Sequence, residues 1–395
     1  MPLLSLTNSA LLTFWFSSLT LLYTFIGYST LIHLRSRHRP PHRPTPSTQT
    51  PSACVVLVAH NEAQRIPTRL TNLLDSLYPP HLLRVLVVSD ASTDLTASLA
   101  AAHLPSRVST LSLPTRSGKA AGINAALATI HDEFVVFTDA RQRFAPNAIS
   151  TLLAHFTDPT IGAVSGSLEI DPALSSIGSS VDTYWRLEKA LRSAESRLDS
   201  SIGCTGAIYA IRSSLFTPIP TDTILDDLLI PMQIAASGAR ILHDPTAIAF
   251  DPQPLEPANE QRRKQRTLAG NFQLLFRYPL WLLPSGHRLW WQLISHKYLR
   301  LAAPFLLLAS LTSNFILAST PISPISHTFY LSTLTLQILF YLAALLGRLP
   351  FAPKSRFLSL PAGFLFLNLL TLRGLLTYLS KTNQPGWQPT PPPST

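Results

Sequence analysis

Three apolar runs in the first half of the chain end beside a carboxylate. Glu62 follows CVVLVAH (54–60), Asp90 follows VLVVS (85–89) and Asp139 follows FVVFT (134–138). Apolar runs without polar alternation are typical of parallel strands buried on both faces. Because an open sheet of parallel strands binds its ligand at the carboxyl ends of the strands, we expect these acids to line one site.

A basic residue opens a predicted helix between the second and the last of these runs. The segment RSGKAAG (116–122) places Gly118 and Lys119 at a helix N-terminus, where backbone N–H groups and the helix dipole favour a diphosphate. The segment lacks the glycine spacing of a P-loop and has no Ser or Thr after Lys119, which disfavours an ATPase. No GxGxxG follows the first run, which disfavours a dinucleotide enzyme.

The elements that must hold these residues alternate between strands and helices. Besides the three runs, VSTLSL (108–113) and the segment 207–211 are predicted strands. Helices are predicted around Leu70, after Asp94, from Gly118, over 184–198 and from about Asp226. This alternation predicts an α/β fold with a doubly wound, mostly parallel sheet.

Composition indicates a membrane protein. Hydrophobic residues make up 46% of the 395 residues and charged residues only 13%, against about 25% in soluble domains. The net charge of +10 is typical of cytoplasmic flanks that contact anionic headgroups. The sequence has no basic stripe interleaved with aromatic residues, which disfavours nucleic acid as a partner. Cys54 and Cys204 are interpreted as buried, reduced residues.

One apolar segment precedes the predicted α/β region and several follow it. Residues 10–32 carry no charge, and the basic residues come after them, which predicts an anchor with its N-terminus outside. Spans are predicted over 299–318 and 329–346. The segment 357–378 is either a span or a re-entrant helix, and 268–283 is predicted to lie in the membrane interface.

These segments predict a division of the chain into six parts: an anchor (1–34), a basic Pro-rich linker (35–51), a cytoplasmic α/β domain (52–260), interfacial helices (261–298), a transmembrane region of two or three spans (299–380) and a disordered tail (381–395).

The order of several short motifs resembles that of a known family. VLVAHNEA, VVSDASTD, RSGKAAGINAAL, FTDAR, IGAVSG, GCTGAIYAIR, ILDDLLIP and RRKQR follow one another as in family 2 glycosyltransferases. The chain resembles most the membrane-integrated branch that includes cellulose, hyaluronan and poly-N-acetylglucosamine synthases, over roughly residues 53–270. The resemblance implies a GT-A-like fold and a hexosyltransferase of the bacterial cell envelope.

The resemblance also implies roles for residues on the donor side. Glu62 and Asp90 would lie against the nucleoside of a nucleotide-sugar, and Lys119 near the base or the diphosphate. Asp139 matches the first acid of the DxD motif, which reaches the diphosphate and a divalent metal, Mg²⁺ or Mn²⁺.

On the acceptor side, Asp227 matches the general base that takes the proton from the acceptor hydroxyl, and Asp226 takes the place of the acid before it. Arg263 and Arg266 fall where the family has the Gln and Arg of QxxRW, beside the diphosphate and the acceptor.

Two departures from the family pattern change these expectations. Arg141 replaces the second acid of DxD, so a metal ion loses a carboxylate ligand there, and Arg141 is interpreted as a phosphate contact or as the partner of a nearby acid. RKQRT (263–267) replaces QxxRW, so the family's Trp near the acceptor is missing and processive polymer synthesis is not expected to follow from the resemblance alone.

The sequence therefore predicts an inverting glycosyltransferase of the inner (plasma) membrane, multi-pass, with its catalytic domain in the cytoplasm. The donor is expected to be a UDP-sugar, and the acceptor a polysaccharide or a lipid-linked saccharide. Membrane lipids and a polysaccharide-export subunit are the expected partners. Two alternatives stay open: a lipid glycosyltransferase without polymer synthesis, and a non-catalytic nucleotide-binding scaffold.

Overall fold

A single mixed sheet forms the centre of the fold. The computed structural model describes residues 2–45, 50–170, 180–251, 257–320, 323–349, 353 and 355–380. The eight strands are β1 (Ala53–Ala59), β2 (Leu83–Asp90), β3 (Val108–Leu113), β4 (Phe134–Thr138), β5 (Arg143–Phe144), β6 (Ile161–Ile170), β7 (Ile208–Arg212) and β8 (Arg240–Asp251). They lie in the order β3-β2-β1-β4-β7-β6-β8-β5.

Half of this sheet is parallel and contiguous. Strands β3, β2, β1 and β4 run parallel, β7 is antiparallel to both β4 and β6, β8 is parallel to β6, and β5 is antiparallel to β8. The prediction of an α/β fold with a mostly parallel sheet is confirmed. Because β1, β2 and β4 are neighbours, the acids that follow them come to one edge.

The helices are α1 (Pro2–Leu22), α2 (Tyr28–Ser36), α3 (Ile66–Leu74), α4 (Thr96–Ala102), α5 (Lys119–Leu127), α6 (Ala148–Ala154), α7 (Ser180–Leu198), α8 (Asp226–Ala236), α9 (Pro257–Arg277), α10 (Trp290–Leu293), α11 (Leu299–Ala318), α12 (Pro324–Leu346) and α13 (Arg356–Leu379). The predicted helix over 268–283 ends earlier in the structure, because α9 stops at Arg277, two residues ahead of Pro279. A proline disfavours helical backbone in the residue before it.

Alternate residues of the central strands pack on opposite faces of the sheet. On β1, Val55 and Leu57 belong to the core beneath α3 and α6, whereas Val56 belongs to the core beneath α5 and α8. Burial of one such side chain contributes about 1.5–3 kcal/mol. Gly122 lets α5 approach β1 closely, because a Cβ there would lie 2.7 Å from Val58 Cγ1. This close packing fixes the start of α5, which carries Lys119.

Within the part of the chain that the structure describes, four helical segments are long and apolar enough to cross a membrane: 6–36, 290–318, 324–346 and 356–379. In two of them the α-helix is interrupted by a π-helical turn, Tyr23–Gly27 between α1 and α2 and Ile294–Tyr298 between α10 and α11. The predicted anchor and all three predicted later segments fall within these helices. The last segment is a continuous helix in the structure.

Polar contacts join the candidate membrane spans to one another and to the α/β part. Ser18 Oγ of α1 lies 3.0 Å from Ser310 Oγ of α11, and Gln265 Nε2 of α9 donates to Thr377 Oγ1 of α13 at 2.7 Å. Gly374 allows α13 to lie against α9, because a Cβ at this position would be 2.6 Å from Leu268 Cβ. The basic run RRKQR therefore lies on a helix that packs along a candidate membrane span.

Candidate active site

Lys119 is the centre of a charged cluster at the carboxyl edge of the sheet. Its Nζ lies 2.9 Å from Asp139 Oδ1, just after β4, and 3.5 Å from Asp226 Oδ2, the first residue of α8. Burial alone lowers the pKa of Lys119, but the two carboxylates outweigh burial and raise it above its usual range. Burial raises the pKa of Asp139, and the Lys119 charge outweighs this and lowers it. Lys119 and Asp139 are therefore both charged at neutral pH.

Asp227 follows Asp226 at the N-terminus of α8, and its carboxyl has a raised pKa. Burial, together with the neighbouring Asp226 charge, raises the pKa of Asp227 to about 6. Lys119 and Arg192 act in the opposite direction with smaller effect. A carboxylate with a pKa near the operating pH is suited to accept a proton, since it is ionised yet basic.

The backbone of residues 203–206 lies directly against Asp227. The Cys204 amide donates to the Asp227 carbonyl oxygen at 2.8 Å. Gly206 leaves room for the side chain, because a Cβ there would lie 2.8 Å from Asp227 Oδ2. Gly203 has a φ of +74°, a conformation that side-chain-bearing residues rarely adopt. The GCTG segment therefore sets where the Asp227 carboxylate points.

Glu62 and Asp90, predicted to face a nucleoside, are both buried near the same edge. Asp90 accepts hydrogen bonds from the Ser117 amide at 2.7 Å and the Gly118 amide at 2.9 Å, so it shapes the turn before α5. Glu62 Oε2 pairs with Arg65 at 2.7 Å, whereas its Oε1 is buried with no hydrogen-bond partner in the described part of the chain. Burial raises the pKa of Glu62.

Arg141 and Arg263 add positive charge around Asp139. Arg141 Nη2 donates to Asp251 Oδ2 at 2.5 Å, and burial lowers its pKa. Arg263 is exposed on α9, yet it is close enough for its charge to lower the pKa of Asp139. Arg266 is also exposed on α9. The structure thus brings Arg263 to the cluster and places Arg266 one turn further along.

The carboxylates do not form a protein-built metal site. The residues that the structure describes contain no group of three or more His, Cys, Asp or Glu side chains placed to hold an ion. Asp139 Oδ1 is engaged by Lys119, and Arg141 pairs with Asp251. Because Lys119, Arg141 and Arg263 surround the single matching acid, this donor set does not fit a divalent ion held by the protein alone.

The candidate residues from the sequence do not include Arg69, which hydrogen-bonds the chain at Thr138 and Asp139. Its guanidinium donates to the Asp139 carbonyl at 3.3 Å and to Thr138 Oγ1 at 2.5 Å, and it lies 4.3 Å from the Phe144 ring. Burial lowers the pKa of Arg69 to about 9. A signal for it was present, because Arg69 lies on the apolar face of α3, three residues after Ile66.

Known proteins are similar to this chain in sequence and in fold. Residues 54–216 match the family model described as Glycosyl transferase family 2. An N-acetylglucosaminyltransferase from Rhizobium meliloti (strain 1021) is 28% identical over 242 residues, covering 55% of this chain. This chain spans about half of that relative's length (56%).

A solved structure shows the same fold over nearly the whole chain. It is a mannosyltransferase from Pyrobaculum calidifontis in complex with GDP-Man and Mn²⁺. The TM-score is 0.67 at 22% identity, covering 96% of this chain and 100% of that one. Residues 54–216 are therefore a family 2 glycosyltransferase domain within a GT-A-like fold.

Proposed function

We propose that this protein transfers a sugar from a nucleotide-sugar to an acceptor hydroxyl with inversion, and that Asp227 is the general base. The observation that carries the proposal is the contrast within α8: Asp226 pairs with Lys119, whereas the pKa of the adjacent Asp227 is raised to about 6. Asp226 is therefore paired with the cation, and Asp227 is available to accept a proton.

The cationic side of the cluster suits the diphosphate. Lys119 at the start of α5 and Arg263 on α9 supply positive charge, and the helix N-terminus of α5 adds backbone N–H groups. As the sugar leaves, negative charge grows on the diphosphate, and charges fixed in place beforehand stabilise it without reorganisation. We assign Arg266 and Arg141 to the same side, as contacts for phosphate or acceptor.

The acceptor hydroxyl attacks the anomeric carbon from the face opposite the diphosphate. Asp227 accepts the hydroxyl proton as the new bond forms, a role typically worth about 10²–10⁴-fold in rate. Asp226 holds Lys119 in place and keeps the neighbouring acid basic by its negative charge. Attack from the opposite face gives a β-linkage from an α-linked donor.

Two donors are the first to test. The Rhizobium relative is named an N-acetylglucosaminyltransferase, and the Pyrobaculum structure holds GDP-Man. The family resemblance favours a UDP donor, with Glu62 and Asp90 on the nucleoside side. Assays with UDP-N-acetylglucosamine and with GDP-mannose therefore distinguish the donor that the family resemblance favours from the donor held by the Pyrobaculum structure. The Mn²⁺ in the Pyrobaculum complex makes metal dependence a second variable of the same assay.

We further propose that residues 52–260 lie on the cytoplasmic face of the inner membrane. The four apolar helices and the basic residues 35–43 after the first of them support this orientation. We also propose the division of the chain into six parts that the sequence predicts, in which residues 261–298 form helices at the membrane interface. The acceptor is then a lipid, a lipid-linked saccharide or a growing polysaccharide, and an export subunit is a candidate partner.

The experiment that tests the proposal is nucleotide release by the full chain in lipid nanodiscs, with either donor and with Mn²⁺ or EDTA. We expect one donor to support release in the native protein and Asp227→Asn to abolish it. Asp222→Asn, a substitution at an exposed acid paired with Arg277, is the matched control and should keep the native rate. Nucleotide binding without turnover in lipid extracts that contain acceptors would instead support the scaffold function.

A further inference from the structure

A buried ionic junction joins the membrane helices to α7. His296, in the π-turn before α11, is fully buried between two carboxylates of α7: its Nε2 lies 2.9 Å from Glu188 Oε1 and its Nδ1 2.9 Å from Glu195 Oε1. Tyr28 from the first membrane helix donates to the same Glu195 oxygen at 2.6 Å. Arg300 of α11 donates to Glu188 Oε2 at 3.0 Å. Three segments distant in sequence therefore meet here.

The two carboxylates of this junction differ in their contacts with residues outside the membrane helices. Glu188 and Glu195 are seven residues apart, so both face the membrane helices from the same side of α7. Glu195 contacts Tyr28, His296 and the Ile202 amide. Glu188 has one more partner towards the active site, because its Oε1 lies 3.5 Å from Arg192 Nε, one helical turn along.

Arg192 carries this connection to the segment that packs on Asp227. Its Nη1 donates to Thr205 Oγ1 at 3.3 Å. Thr205 lies between Cys204, whose amide binds the Asp227 carbonyl, and Gly206, whose Cα faces the Asp227 carboxylate. Ser165 of β6 holds the same residue from the sheet side, since the Thr205 amide donates to Ser165 Oγ at 2.9 Å.

We propose that Glu188 is a positioning residue that couples the membrane helices to the catalytic base. It is held by His296 and Arg300 on one side, and on the other it holds Arg192, which fixes the 203–206 segment against Asp227. Glu188 and Arg192 then set the direction of the Asp227 carboxylate without contacting the donor. The kinetic part of this inference rests on the proposed function, whereas its structural part does not.

The alternative is that Glu188 only docks α7 on the membrane helices. Glu195 separates the two explanations, because it binds the same His296 from the same helix and is also buried. Its contact with the Ile202 amide needs only an acceptor oxygen, which glutamine keeps. A docking role predicts equal effects of Glu188→Gln and Glu195→Gln. A positioning role predicts that only Glu188→Gln loosens the 203–206 segment.

The two cysteines provide a readout that needs no substrate. Cys204 lies in the 203–206 segment and Cys54 in β1, and both are free and buried. In the full chain in nanodiscs, N-ethylmaleimide labelling is followed at each thiol by peptide mass spectrometry. We expect Glu188→Gln to raise the Cys204 rate about tenfold, with the Cys54 rate unchanged and Glu195→Gln without effect. A parallel rise at both thiols, or equal effects of the two variants, would overturn the proposal.

Kinetics then test whether Glu188 acts through Arg192. We expect Glu188→Gln and Arg192→Gln each to lower kcat by about 10–100-fold with the donor KM unchanged, since a small misplacement of a catalytic group has effects of this size. The double variant should be no slower than the slower single variant, because both changes release the same segment. Multiplied losses would overturn the proposal. If no donor turns over in the native protein, the proposed function fails and the labelling result alone decides this inference.

Discussion

Replacing Asp227 with asparagine is expected to stabilise the protein at neutral pH while it removes turnover. Burial and the Asp226 charge raise the pKa of the Asp227 carboxyl from 3.8 to about 6. A group whose pKa is higher in the folded state binds its proton more tightly there, so folding is favoured below the unfolded value. That stability is lost as the pH rises through about 6. Asparagine carries no charge at any of these pH values, so Asp227→Asn does not lose this stability as the pH rises.

The magnitude follows from the two pKa values. Each pH unit between 3.8 and about 6 contributes about 1.4 kcal/mol, so the ionised Asp227 carboxylate destabilises the native fold by about 3 kcal/mol at pH 8. At pH 5 the same calculation leaves roughly half of this. The difference in midpoint temperature between Asp227→Asn and the native protein should therefore be about 5–10 °C at pH 8 and clearly smaller at pH 5.

The assay is thermal unfolding in nanodiscs from pH 5 to pH 8, with Asp222→Asn as a control of opposite sign. The hydrogen bond from Arg277 lowers the pKa of Asp222, so its charge stabilises the fold above the unfolded value. Asp222→Asn should therefore lose stability by about the same amount from pH 5 to pH 8, because the pKa of Asp222 lies below this range in both the folded and the unfolded state. A difference for Asp227→Asn that does not change with pH would refute the reasoning, as would a variant less stable than the native protein at pH 8.

Three further substitutions test separate parts of the site. Lys119→Met leaves Asp139 and the buried Asp226 without their cation, so we expect a donor KM at least about tenfold higher and a lower midpoint temperature, measured by nucleotide release and thermal unfolding; an unchanged KM would contradict the diphosphate role. Gly206→Ala puts a Cβ 2.8 Å from Asp227 Oδ2, so kcat should fall about 10-fold or more in a folded protein, whereas Gly238→Ala, where nothing lies within 4 Å of the added Cβ, should keep the native kcat; equal kcat values would contradict the packing argument. Arg141→Asp removes a cation beside Asp139 and adds a carboxylate, so Mn²⁺ binding followed by electron paramagnetic resonance should tighten relative to Arg141→Gln; equal binding would show that charge at this position does not limit the metal.

Much of the sheet and part of the site could be predicted because they depend on local patterns. The uniform apolar runs of β1, β2 and β4 identify buried parallel strands, and neighbouring strands bring their terminal acids together. Strands β6 and β8 were not predicted. β6 contains Gly162 and Gly166, and β8 contains Pro245, so neither reads as a regular strand, and the structure shows register shifts between them.

The remaining parts of the site depend on contacts between distant segments. The pairing of Lys119 with Asp226 joins α5 to α8, and nothing in either segment alone indicates it. The sequence predicts Arg141 as a phosphate contact or as the partner of a nearby acid, and the structure gives it Asp251 at the end of β8, a strand that the sequence does not predict. Glu188 and His296 meet only when α7 docks on the candidate span 290–318, an arrangement that no local pattern encodes.

The central claim is that Asp227 serves transfer of a sugar to an acceptor, which detection of the product tests most directly. Membranes that contain the full chain are supplied with a donor labelled in its sugar, and the organic-soluble and polymeric fractions are analysed by mass spectrometry. We predict labelled product in one fraction for the native protein and for Asp222→Asn, and none for Asp227→Asn. Label recovered only as free sugar, or equal product from Asp227→Asn, would contradict the account.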